Sequence, residues 1–147
     1  MNSYFLDTSA LVKIYHQEEG TDEVLRFYKD TSSCLYLSEL SLIELRSSVY
    51  RKLREKELSQ EALNAVIDLF VYDCQSKFKV LPVRSIVYEK ACELFEHYGD
   101  KLGLRSLDSI QHATFLTYCN PDTDFFVSAD KQLLNIVQQD NVQVIGL

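Results

Sequence analysis

The chain alternates between short apolar runs and longer segments whose apolar residues recur at helical spacing. Tyr4-Phe5-Leu6 is the first such run, ending in Asp7, Thr8 and Ser9 ahead of an apolar-periodic segment through Tyr15. That order predicts a buried strand, a tight turn, and a helix capped by Asp7, Thr8 or Ser9. Glu18 to Asp22 reads as a turn and helix start, with Val24, Leu25, Phe27 and Tyr28 making an amphipathic helix to about Asp30. Cys34-Leu35-Tyr36-Leu37 predicts a second strand. A long helix from Ser38 to about Lys56 follows, with Leu42, Leu45, Val49 and Leu53 along one face. Leu63, Val66, Ile67, Phe70, Val71 and Cys74 give another from about Ser59 to Ser76. A third strand runs from Phe78 to Val83, with Pro82 near its end, where a missing donor is tolerated. A helix from about Ser85 to Tyr98, a loop to Arg105 and a helix from about Ser106 to Cys119 come next. Asp124 to Ser128 is a fourth strand, Lys131 to Gln138 a helix, and Asn141 to Gly146 a fifth strand.

Strands alternating with helices argue for an α/β fold, a parallel sheet covered on both faces. The chain shows no internal repeat, low-complexity tract or linker, and its 147 residues suit a single domain, 1–147. Hydrophobic residues at 46% beside 25% charged ones exclude a disordered or fibrous chain. No apolar run approaches the roughly 20 residues that span a bilayer, and no basic-then-apolar leader opens the chain. A cytoplasmic protein without membrane contact is the expectation. Cys34, Cys74, Cys92 and Cys119 are scattered, with no Cys-x-x-Cys pair, so zinc is not indicated and reduced, mostly buried thiols are expected.

The net charge of −7 argues against binding nucleic acid through overall charge. It leaves room for a nuclease, because a carboxylate-rich site that recruits cations makes its chain more acidic. Contact with phosphates then needs a local basic strip. The run Arg46 to Lys56 offers one, with Arg46, Arg51, Lys52, Arg54 and Lys56; Arg84, Lys101, Arg105 and Lys131 are possible additions. The same run reads equally well as a solvated helix face.

Four carboxylates stand out for their places. Asp7 sits at the carboxyl end of the first strand and Asp130 at that of the fourth, the edge where open parallel sheets bind ligands. Asp124 precedes its strand and belongs to the opposite edge. Glu44 shares its helix face with Ser41, Ser47, Ser48 and Arg51, a groove of small or polar residues, and Asp108 stands in a first helical turn. Each has an ordinary structural explanation: a helix cap, a solvated glutamate, or an acid complementing the helix dipole. Jointly they describe a ring. Four carboxylates within a few Å repel by roughly 1 to 4 kcal/mol per pair, so such a ring raises its pKa values or binds cations. All-oxygen acidic ligands suit Mg²⁺ or Mn²⁺, which activate water and accept phosphate partners. Metal-dependent phosphodiester hydrolysis is the chemistry expected, with Thr8, Ser9 and Ser128 orienting the carboxylates or a metal-bound water.

The strings Phe5-Leu6-Asp7-Thr8-Ser9-Ala10-Leu11, Glu44 after Ser38 and Ser41, Gly103 to Gln111 including Leu104-Arg105-Ser106-Leu107-Asp108, and Phe126-Val127-Ser128-Ala129-Asp130 resemble the PIN-domain pattern in order and spacing. The resemblance spans Tyr4 to the last strand and is nearest to VapC-type toxins of toxin–antitoxin pairs. It implies a three-layer α/β/α fold with five parallel strands in the order 3-2-1-4-5, which sets Asp7 beside Asp130. It implies an Mg²⁺- or Mn²⁺-dependent endoribonuclease with Asp7, Glu44, Asp108 and Asp130 as metal-binding acids, a cognate antitoxin protein, and a homodimer. Arg46, Arg51, Arg105 and Lys131 are the expected RNA-binding residues, and the helices from Ser38 to Ser76 the expected antitoxin surface. His112 stands where relatives carry an apolar residue and reads as a helix residue near the core; His16 and His97 read as surface residues.

Other readings compete with this one. A PIN-type nuclease acting in RNA processing or on DNA, without an antitoxin, fits the same residues, and so does a catalytically silent PIN-like binding module. A phosphatase or receiver-like domain with Asp7 as nucleophile or phospho-acceptor is a third. A phosphatase of the haloacid-dehalogenase type calls for a second Asp where Ser9 stands.

Overall fold

The computed structural model describes residues 2–147. Its elements are β1 (Ser3–Leu6), α1 (Thr8–Tyr15), α2 (Thr21–Lys29), β2 (Cys34–Ser38), α3 (Ser41–Arg54), α4 (Gln60–Ser76), β3 (Phe78–Leu81), α5 (Ser85–Tyr98), α6 (Ser106–Tyr118), β4 (Asp124–Ser128), α7 (Lys131–Gln138) and β5 (Gln143–Gly146). The five strands form one sheet in the order β3-β2-β1-β4-β5, every pairing parallel. The three-layer α/β reading and its strand order hold.

Alternation along the strands assigns side chains to the two faces. Tyr4 and Leu6 of β1 point to one face, where α1 to α4 bring Leu11, Val24, Leu45 and Phe70. Phe5 points to the other and meets Phe126, stacked at 5.2 Å, and Phe115 of α6, edge-on at 5.8 Å. Helices α6 and α7 cover that second face, and α5 packs outside them through Val87, Ala91 and Leu94. Phe5, Phe115 and Phe126 are fully buried. Truncating any of them to Ala costs about 3–5 kcal/mol by transfer and cavity together. Buried polar groups also join helices: Asp73 of α4 accepts from Tyr15 Oη at 2.5 Å and Tyr28 Oη at 2.8 Å, tying α4 to α1 and α2.

Several boundaries differ from the sequence pattern for local reasons. Ser38 ends β2 rather than opening the helix, because its Oγ contacts Thr114 Oγ1 at 3.1 Å and accepts from Leu40 N at 3.2 Å. Pro82 follows β3 instead of lying inside it, and Asn141 turns at φ 58°, so β5 starts at Gln143. Cys92 is exposed and the other three cysteines are half-buried; all four are free thiols, but none is deeply buried. His112 is fully buried, its Nε2 3.0 Å from Asp140 Oδ2 though not aligned for a regular hydrogen bond. Burial pushes Asp140 up, but His112 and Tyr98 more than offset this and hold its carboxyl below the usual range. His16 is half-buried beside Glu57, while His97 is exposed.

Candidate functional site

The parallel order sets the ends of β1 and β4 side by side, since Leu6 pairs with Val127. The next residue, Asp7, donates its backbone N–H to Val127 O at 3.1 Å and caps α1. Its side chain is buried, and both of its oxygens accept hydrogen bonds. Oδ1 accepts from Ser9 Oγ at 2.7 Å and Ala10 N at 2.9 Å, and Oδ2 accepts from Ser128 Oγ at 2.5 Å. Both serines are held in turn by the turn after β4: Ser9 Oγ accepts from Ala129 N and Ser128 Oγ from Asp130 N. Burial pushes the Asp7 carboxyl up to about 6, against the pull of these bonds, and the nearby Asp108 adds to the rise.

Asp130 caps α7 by accepting from Leu133 N at 3.1 Å. Glu44 rises from the first turn of α3, and its Oε1 accepts from Thr8 Oγ1 at 2.7 Å and Gln111 Nε2 at 2.8 Å. Asp108, in the first turn of α6, is raised by burial despite a bond from Arg105. The Arg105 guanidinium lies between the two remaining acids: it donates to Asp108 Oδ2, with Nε at 2.8 Å, and pairs with Asp130 Oδ2.

All four acids line one cavity of about 620 Å³, together with Thr8, Ser9, Ser47, Ser48, Arg51 and Arg105. The acids and the hydroxyls of Thr8, Ser9 and Ser128 therefore converge as the strand ends and helix faces require. Among the described residues, however, no group of three or more His, Cys, Asp or Glu side chains is drawn tight enough to hold a metal ion. The guanidinium, not a carboxylate, stands between Asp108 and Asp130. The donor set nonetheless suits a hard cation, being all oxygen, with Asp7 disfavoured as a bare anion by its burial.

The expected RNA-binding residues divide. Arg51 and Arg105 line the cavity, while Arg46, Lys131, Arg84 and Lys101 do not. Arg46 faces α4, donating to Leu42 O at 2.6 Å with its guanidinium 5.9 Å from the Phe70 ring centre. Its expected place on the groove is thereby corrected: on α3 it shares the flank of Leu42, not that of Glu44. Lys131 is exposed at the start of α7. Gln111, the last residue of the PIN-like string, has no role assigned by the sequence pattern. It is buried, and its Nε2 reaches Glu44 Oε1, Ser41 Oγ at 3.0 Å and Thr8 Oγ1 at 3.2 Å, while its Oε1 has no partner among the described residues. Turning the amide round would set that oxygen against the Glu44 carboxylate. The signal was its spacing: three residues after Asp108, it shares the same helix face.

Residues 4–137 match the PIN-domain family. Among curated proteins no sequence matches. Solved structures do resemble the chain. VapBC2 from Rickettsia felis, bound to a DNA fragment from its promoter, shares 16% identity at a TM-score of 0.68 over 99% of this chain and 98% of that one. The sarcin-ricin loop cleaving toxin VapC20 from Mycobacterium tuberculosis shares 15% at 0.67, over 90% and 93%. DNA-bound VapBC from Salmonella typhimurium shares 18% at 0.67, over 99% and 98%. At such identities the likeness is one of fold.

Proposed function

The chain belongs to the PIN-domain family, and from that premise we propose that it is a metal-dependent endoribonuclease, the toxin of a toxin–antitoxin pair. One observation carries the reading: carboxylates from four separate segments, Asp7, Glu44, Asp108 and Asp130, line a single cavity at the carboxyl ends of β1 and β4. In this reading those acids hold Mg²⁺ or Mn²⁺, which when bound activates water for attack on a phosphodiester and offsets the charge gathering on phosphorus. Thr8 and Gln111 fix one oxygen of Glu44 and leave Oε2 for a ligand; Ser9 and Ser128 orient Asp7. Arg51 and Arg105 supply cations for the RNA backbone, and Lys131 lies beyond the cavity for a longer strand.

The whole chain acts as one domain, in the cytoplasm where RNA and antitoxin are met; no helix is long and apolar enough to cross a membrane among the described residues. An antitoxin or a second copy has an apolar surface to cover on α3 and α4, where Ile43 is 71% exposed and Tyr50, Leu69, Val71 and Tyr72 are also exposed. The Rickettsia and Salmonella structures are VapBC complexes, which supports an antitoxin partner.

Brief expression followed by sequencing of RNA 5′ ends tests the reading. New, discrete ends and growth arrest are expected for the wild type, with both lost in Asp108→Asn. Identical ends from the variant would remove the site assignment.

A further inference from the structure

Away from the acids, the same cavity ends in lysines. Lys13, in the last turn of α1, and Lys52, in the last turn of α3, have side chains only 10% and 11% exposed, and both line the cavity. They converge on one carboxylate. Glu18 Oε1 lies 3.1 Å from Lys13 Nζ and its Oε2 3.6 Å from Lys52 Nζ; Lys52 also reaches Glu57 at 3.3 Å, which in turn stands 3.9 Å from His16. Arg51 lines the cavity with no ion-pair partner among the described residues.

Glu18 is held there by backbone. Thr21 N donates to Glu18 O at 3.1 Å, Glu18 N donates to Thr21 Oγ1 at 3.0 Å, and Thr21 Oγ1 donates to His16 O. Gly20, at φ +88°, lets the loop pass so close that an added Cβ would lie 2.9 Å from Leu147 Cβ and 3.2 Å from Lys13 Cδ. The loop thus sets a partly exposed anion against two lysines that are buried more deeply in the cavity wall. Among the described residues Lys13 Nζ makes a single hydrogen bond, to Glu18, and an ammonium has two more N–H to give.

We propose that Lys13 and Lys52, covered by Glu18, form a seat for an RNA backbone phosphate, and that Glu18 is the anion this phosphate displaces. The proposal rests on the ribonuclease reading above. At about 1.5 Å of rise per residue, Lys13 and Lys52 stand about 9 and 12 Å further along their helices than Asp7 and Glu44. That places the seat a nucleotide or two from the bond to be cut. Ser47 and Ser48, which line the cavity between the two ends, leave room for the strand to pass. A phosphodiester bears the same single charge as the carboxylate it replaces, so the exchange leaves no lysine unpaired and adds acceptor oxygens for the spare N–H groups.

Binding of a fluorescent single-stranded oligoribonucleotide, followed by anisotropy against KCl with Ca²⁺ present and the strand checked intact on a gel, tests this. Lys13→Gln and Lys52→Gln should each weaken binding about five-fold at 0.1 M salt and make the slope of log K against log salt shallower by about 0.7, the value for one phosphate contact on a single strand. Glu18→Gln should do the opposite and tighten binding several-fold, while lowering the melting temperature like the lysine variants. An ion pair with a purely structural role would send all three variants the same way. Glu18→Gln binding that is unchanged or weaker overturns the seat even if a lysine variant fails to fold. A wild type that binds no RNA overturns the ribonuclease reading itself, and the seat with it.

Discussion

Ser128 Oγ donates a 2.5 Å hydrogen bond to Asp7 Oδ2 across the junction of β4 and β1, and this bond does most among the hydrogen bonds to keep a buried carboxyl ionisable. The two residues lie at opposite ends of the chain. They meet because the strand order makes β4 the neighbour of β1, with Leu6 opposite Val127. Even with that bond, desolvation dominates and the acid sits near 6 rather than 3.8.

The folded Asp7 therefore binds its proton more tightly than the unfolded one. Its contribution to stability is complete below about pH 4 and is lost as the pH rises through about 6, to a limit of about 3 kcal/mol. Asp7→Asn, which keeps the size and an acceptor oxygen, should raise the melting temperature at pH 7.5 without added metal and flatten its fall between pH 4 and 7. Thermal denaturation followed by circular dichroism checks both. Equal melting temperatures at neutral pH would mean that Asp7 carries no desolvation penalty.

Arg105 already occupies the oxygens of Asp108 and Asp130 that a bound cation would need. Arg105→Gln should lower the dissociation constant for Mn²⁺ several-fold by calorimetry. The same variant should bind RNA less tightly, since one cation of the groove is gone. Weaker Mn²⁺ binding in the variant would show that the guanidinium supports the acids instead of competing for them.

How much of this was legible beforehand depended on which side chains announce their direction. Asp7 and Asp130 did, because a strand's carboxyl end fixes where the one or two residues after it go, and Glu44 did through the serines on its helix face. The sheet order came from resemblance to PIN domains, since hydrophobic alternation alone does not say which strands are neighbours. Arg46 misled because a basic run on a helix points in several directions, and only packing against α4 turns this residue onto Phe70. Gln111 and Lys13 were silent for the converse reason: a polar residue amid apolar ones looks solvated until a neighbouring helix buries it.

Gln111 illustrates what such a residue is for. Two amide hydrogens reach toward three acceptors, and the amide oxygen is buried without a partner among the described residues. Gln111→Leu removes that orphan along with the donor, while Thr8 still donates to Glu44, so stability should change by less than about 1 kcal/mol. RNA cleavage should fall at least about ten-fold through loss of Glu44 alignment, with Gln111→Asn restoring little because it is one methylene too short. A large loss of stability with activity per folded molecule intact would make Gln111 a packing residue only.

In the proposed enzyme Asp7, Glu44, Asp108 and Asp130 share a divalent ion. Crystals grown with Mn²⁺, measured at the manganese absorption edge, give the most direct answer. An anomalous peak among these carboxylates, with the Arg105 guanidinium moved off Asp108 and Asp130, is the result expected. A map with no peak in that cavity at millimolar Mn²⁺, and Arg105 still bridging the two acids, would contradict it.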